Sequence, residues 1–226
     1  GITKSLAEDY TIDQSLRFNN PDGAYLTRTP TSDGNRKTWT FSAWVKLGKM
    51  GTIWSLFSAG ADGGGPRTNL TIHADGNLEH TFNPSGSDNL DWRTSAHYRD
   101  PSAWYHVVIA MDTTQSVATD RQKIYVNGEQ ITDFEAQETI PEDSEGPVNQ
   151  NVAQDIANYS AAHGDNMSWD GYLAEVYMID GQQLAASSFG ETDSATNQWK
   201  PIDASGLTFG TNGFYQKYAS TELANS

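Results

Sequence analysis

Trp104-Tyr105-His106-Val107-Val108-Ile109-Ala110-Met111-Asp112, a polar excursion, then Gln122-Lys123-Ile124-Tyr125-Val126-Asn127-Gly128-Glu129-Gln130-Ile131: these two runs decide the fold class. Both are rich in β-branched and aromatic residues, which suit a pleated, half-buried surface. The first is apolar almost throughout, so both of its faces must be covered, as in a strand inside layered sheets. The second alternates, with Ile124 and Val126 pointing one way and Lys123 and Tyr125 the other. Asn127-Gly128 supplies the two positive-φ residues that a type I′ hairpin needs. An antiparallel meander therefore sits at the centre of an all-β chain.

Composition agrees. The 226 residues include seven Trp, ten Tyr and eight Phe, with Gly, Asn, Asp and Ser punctuating short apolar runs. That pattern points to a β-sandwich of one domain, and no helical stripe of useful length competes with it. The net charge is −15, from 29 Asp and Glu against 14 Lys and Arg. A phosphate backbone or an anionic bilayer selects for the opposite sign, so neither nucleic acid nor membrane insertion is expected. Neutral glycans, cations and basic protein surfaces remain as partners, and the acidic excess also serves solubility. The absence of cysteine excludes disulfides and thiolate sites. No apolar run reaches membrane-spanning length and no signal-like segment is present. Gly1 without a preceding Met points to a piece of a longer protein.

Outward from the centre, Thr38 to Lys46 alternates: Trp39, Phe41, Ala43 and Val45 share the core face. Trp44 falls on the polar face and should be covered by another segment. Thr52 to Ala59 reads as a strand with Ile53, Ser55 and Phe57 opposite Trp54, Leu56 and Ser58. Asn69–His73 and Asn77–Phe82 read as a hairpin around Ala74-Asp75-Gly76. Thr132 to Asn151, acidic and proline-containing, reads as a surface excursion. Gly171 to Gly181 is a strong strand ending in a turn, and Gln182 to Gly190 has room for one short helical turn.

Trp39-Thr40-Phe41-Ser42-Ala43-Trp44-Val45, Trp104-Tyr105-His106-Val107-Val108, Ile124-Tyr125-Val126-Asn127-Gly128 and Asp170-Gly171-Tyr172-Leu173-Ala174-Glu175-Val176 resemble the four landmark strands of laminin-G-like domains. These belong to the concanavalin A-like lectin/glucanase superfamily. The resemblance covers about residues 15–190, with 191–226 as a C-terminal extension of a single domain. It implies a two-sheet antiparallel jelly roll with function on the concave face or at a rim of loops. A narrower resemblance rests on Arg99-Asp100-Pro101-Ser102-Ala103-Trp104-Tyr105-His106, Ser188-Phe189-Gly190-Glu191 and Gly210-Thr211-Asn212-Gly213-Phe214-Tyr215. These are similar to modules in tail fibres and other virion appendages of tailed, especially marine, bacteriophages. It implies a non-enzymatic module on the virion surface, with a host-surface glycan and sibling virion subunits, including further copies of itself, as partners.

The alternatives are a purely structural virion module and a polysaccharide-degrading hydrolase. Glycoside hydrolysis needs two carboxyl groups ~5 to ~9 Å apart across the sugar. The Glu-x-Asp-x-x-Glu run that hydrolases of this fold use is absent, and Glu175 and Asp180 should face opposite sides of their strand. Calcium is suggested by the resemblance and by the oxygen-rich run His163 to Asp170, with Asp165, Asn166 and Asp170 as ligands. Against it, Ala174 stands where many relatives carry Asp. Sugar binding needs aromatic platforms beside amides and carboxylates. Trp54, Trp92, Trp169 and Tyr172 are the candidates, with Trp92 closest to Asn89 and Asp91 and Trp169 closest to Asp165 and Asn166.

Overall fold

The computed structural model describes residues 10–60, 65–87, 89–159 and 167–219. In chain order its strands are β1 (Leu16–Phe18), β2 (Leu26–Arg28), β3 (Thr38–Leu47), β4 (Trp54–Gly60), β5 (Arg67–Ile72), β6 (Asn77–Asn83), β7 (Leu90–His97) and β8 (Tyr105–Asp112). They continue as β9 (Gln122–Val126), β10 (Glu129–Gln130), β11 (Phe134–Gln137), β12 (Gln154–Ile156), β13 (Gly171–Asp180), β14 (Gly190–Thr192), β15 (Trp199–Pro201) and β16 (Phe214–Gln216). Among the described residues one large sheet runs β1-β13-β3-β8-β9-β10, with β16 also on β13. The other runs β11-β7-β6-β5-β4-β12-β2, and β14 pairs with β15. The result is the expected two-sheet antiparallel sandwich, with no α-helix among the described residues.

Period-two alternation builds the core. Trp39, Phe41, Val45, Ile124, Val126 and Val176 are buried between the sheets, facing Leu56, Phe57, Leu70, Ile72, Leu78 and Phe82. Burying each such side chain contributes roughly 1.5–3 kcal/mol. The β9–β10 hairpin closes on Asn127 (φ 50°) and Gly128 (φ 85°), as the sequence predicts. The β5–β6 hairpin is likewise present.

The first sheet is buried on its far face too, which is why β8 is apolar throughout. Val108, Ala110, Tyr125, Tyr177 and Ile179 form a second core with Ala186, Phe189 and Ala204 from the C-terminal segment. Trp44 is covered there, stacking on His106, which in turn stacks on Trp199. Trp199 Nε1 donates to His106 Nδ1 at 3.0 Å, so the imidazole proton sits on Nε2 and is donated to Ser42 Oγ at 2.9 Å. Burial lowers the His106 pKa to about 3, keeping the ring neutral.

Tyr10 and Tyr215 join this layer through Glu175, a buried residue at positive φ (49°) where β13 shifts register against β3. The hydroxyls of Tyr10, Tyr177 and Tyr215 donate to its carboxylate at 2.7–3.0 Å. Those bonds hold a backbone conformation that a non-glycine residue otherwise disfavours. Asp180 points to the opposite side, accepting from the backbone N–H of Asn35 and Asn212. Glu175 and Asp180 therefore do not face one another, as the sequence predicts.

Two sequence expectations are corrected. β4 does not alternate evenly: its register against β5 shifts between Ser55 and Phe57, so Leu56 and Phe57 both reach the core. A bulge of this kind moves later residues to the other face. The segment 132–151 is not merely a surface excursion. Phe134–Gln137 pairs with β7, and Ile140 and Val148 are fully buried.

Candidate glycan-binding face

The second sheet turns its apolar residues inward, which leaves Arg67, Asn69 and Thr71 of β5 and Glu79, Thr81 and Asn83 of β6 on the far face. Pairing aligns them in rungs. Asp91, Thr81, Asn69, Ser58 and Asp155 lie side by side across β7, β6, β5, β4 and β12. Arg93, Glu79, Thr71 and Ser55 form the next rung. The face is almost wholly polar, yet Asn69, Thr71, Ser58 and Asp155 are buried.

Its ends are tied up. Arg93 Nε donates to Glu79 Oε2 at 2.7 Å, and His73 Nε2 lies 3.0 Å from Oε1. Burial pushes the Glu79 pKa up, but His73 and Arg93 outweigh it and the net direction is down. Arg67 Nη2 donates to Asn89 Oδ1 at 2.6 Å, where Asn83 Nδ2 also donates at 3.1 Å. Tyr159, half-buried, hydrogen-bonds to Arg67 and stands near Glu79 and Asp91, placing an aromatic ring beside the rungs.

The centre is not tied up. Asn69 is 1% exposed, and among the described residues neither Oδ1 nor Nδ2 has a hydrogen-bond partner. Asp91 Oδ1 and Arg67 Nε are also buried without partners. Burial raises the Asp91 pKa, only partly opposed by a hydrogen bond from Thr81. An unmatched buried polar group costs about 1–3 kcal/mol, so native structures satisfy nearly all of them. Here two acceptors and two donors converge on one patch. Neighbouring hydroxyls on a sugar ring, each both donor and acceptor, are complementary to that set.

Asn89, through Arg67 and Asn83, and Asp91 stand on this face, while their companion Trp92 does not. It points into the core at 4% exposure, its Nε1 donating to Glu138 O at 2.8 Å. Trp169 is 0% exposed, among the largest fully buried side chains. Neither offers a ring face to a sugar, and both assignments as platforms are withdrawn. Tyr172 is exposed as expected but on the first sheet, near Trp104 (ring centroids 6.4 Å) and under Arg17 (5.4 Å). It does not join Asp91 and Asn89.

Asp165 and Asn166 lie outside the described residues. Asp170 is held by Arg17 Nη2 at 2.6 Å and Lys49 Nζ at 3.4 Å, so its carboxylate is already neutralised by two cations. Calcium needs six to eight oxygens. Among the described residues no cluster of three or more acidic or imidazole groups could hold a metal, and those present do not fit calcium.

The sequence reading missed Asn69, Arg67, Glu79, Arg93, His73 and Tyr159. The signal for half of them was there: Arg67-x-Asn69-x-Thr71 and Glu79-x-Thr81-x-Asn83 fall at period two, which puts every one on a single face.

The fold is a two-sheet antiparallel sandwich, and the family match agrees with it. A family model described as the concanavalin A-like lectin/glucanases superfamily matches residues 20–187, and the chain belongs to that family, in its laminin-G branch. The heptameric SAP-like pentraxin of Limulus polyphemus superposes with a TM-score of 0.56 at 14% identity, over 90% of this chain and 94% of that one. Domains LG4-5 of the mouse laminin α1 chain give 0.53 at 10% identity, over 96% of this chain and 52% of theirs. The NanB sialidase of Streptococcus pneumoniae gives 0.54 at 13% identity, over 80% of this chain and 29% of its own. At such identities the likeness is one of fold. A search of curated protein sequences returned no match.

Proposed function

We propose that the chain is a non-enzymatic glycan-binding module whose site is the polar face of β4–β7. The observation that carries this reading is Asn69, whose two amide atoms are buried and, among the described residues, unpaired at the centre of the rungs. A sugar diol supplies what they lack, Asp91 Oδ1 accepts from a further hydroxyl, Arg67 Nε donates to another, and the Tyr159 ring offers an apolar surface. The lectin/glucanase family supports saccharide as the ligand class. Hydrolysis is disfavoured by the geometry. Glu79 and Asp91 share this face with pKa values moved in opposite directions, but both Glu79 oxygens are engaged by His73 and Arg93. Glu79 is therefore not free to attack a sugar or activate water, and a single remaining carboxyl, Asp91, does not make the pair that hydrolysis needs.

The setting we propose is the surface of a bacteriophage virion, on a tail fibre or similar appendage, where the ligand is a host-surface polysaccharide. The motifs that resemble phage modules support this, as does the acidic charge, which suits a neutral glycan better than nucleic acid. Several weak sites on one particle then act together. A glycan array with the pure protein, run beside a reducing-sugar assay, tests the ligand class. Binding without sugar release is the expected result. Release would install the hydrolase, and silence in both would leave a structural module. Immunoelectron microscopy of the particle tests the location.

A further inference from the structure

The sandwich is open along one edge. β2 ends its sheet, and β16 stands beyond β13 in the other, with no pairing between them. Between these strands lies a cavity of about 620 Å³, lined by Tyr25, Leu26, Arg28, Ile156, Phe214 and Gln216, among others. Its position follows from register. Leu26 and Arg28 stand opposite Ile156 and Gln154, while Phe214 and Gln216 stand opposite the core residues Met178 and Val176.

Three features of the lining point to one kind of occupant. The walls are aromatic and aliphatic: Phe57 and Ile156 are buried, and Tyr25 is 43% exposed. Among the described residues the one charged lining residue is Arg28, in a chain where acidic residues outnumber basic ones 29 to 14. Its Nη1 donates to Asn212 O at 2.8 Å and its guanidinium lies 5.7 Å from the Phe214 ring, so it spans the gap between the two sheet edges. Among the described residues no carboxylate pairs with it. Finally, Gln216 Oε1 is buried without a hydrogen-bond partner among the described residues.

We propose that this cavity binds an amphiphilic monoanion: an apolar or aromatic body seated between Leu26, Ile156 and Phe214, an acidic group on Arg28, and a donor to Gln216 Oε1. Largely apolar cavities of this size with a few convergent polar groups are the usual form of small-molecule sites. The site lies at the sheet edge, away from Asn69, and does not depend on the glycan reading.

The probe is 1-anilinonaphthalene-8-sulfonate, compared with N-phenyl-1-naphthylamine, the same body without the anion. Saturable one-to-one binding of the sulfonate to the native protein is expected, with near-ultraviolet circular dichroism confirming fixed tertiary structure. Arg28→Gln should weaken the sulfonate about tenfold, the scale of one charge-assisted contact, and leave the neutral probe unchanged. Arg28→Lys should restore most of the loss. Leu26→Trp, which fills the cavity, should abolish both. The proposal is overturned if the native protein does not bind the sulfonate. It is equally overturned if Arg28→Gln affects both probes alike or a folded Leu26→Trp binds as before. Should Leu26→Trp fail to fold, the Arg28 pair decides alone.

Discussion

Asn69 works against the stability of its own sheet. Leaving its amide buried and unmatched costs about 1–3 kcal/mol per group. Leucine has the same branching and no polar atom, so Asn69→Leu should raise the melting midpoint, read by calorimetry, while removing the central sugar contact. A loss of stability would mean that the amide has a structural partner. His80 and His106 give a second residue-level prediction. Burial lowers their pKa values to about 4 and about 3, against 6.5 in the unfolded chain. Below 6.5 the unfolded state takes up protons that the folded state refuses, so stability falls as pH falls from 6.5 towards 4. At pH 5 the loss is about 2 kcal/mol for each histidine. Urea melts at pH 7 and pH 5 should show it. The carboxylates held low, such as Glu79, lose their contribution only below about 4.5, a separate window.

The elements show where sequence is enough. β3, β8 and β9 were legible because alternation is a local property and Asn127-Gly128 names its own turn. Gly128 does more than turn: a Cβ there would strike the Trp199 ring of the C-terminal layer, and its φ is 85°. Gly128→Ala should therefore cost at least about 2 kcal/mol in urea melts, from left-handed strain together with the displaced ring. A smaller loss would mean that Trp199 is loosely held. The β4 bulge was not legible, because a register shift is set by the partner strand and leaves no mark on local pattern. Part of the candidate site was legible and misread. Asp91 and Trp92 are neighbours on β7, and period two forbids both from facing out, so with Asp91 on the outer face Trp92 could not serve as its platform. Asn69 could be placed on its face by alternation. That it lacks a partner is a property of the surrounding fold, which no single stretch of sequence contains.

At the scale of the whole molecule, the C-terminal segment occupies the far face of the first sheet, and the second sheet keeps its polar face. That division is why recognition is assigned to β4–β7. Asp170 is ion-paired with Arg17 and Lys49, so the melting midpoint should be the same in millimolar calcium and in chelator. A rise with calcium would place ligands in the segment around Asp165 and Asn166. The most direct test of the glycan-binding account joins binding to stability in one pair of proteins. Adsorption of the wild-type chain and of Asn69→Leu to isolated host-surface polysaccharide is measured beside their melting midpoints. The account predicts that Asn69→Leu melts higher and binds at least about tenfold more weakly. Undiminished adsorption by a folded Asn69→Leu would contradict it.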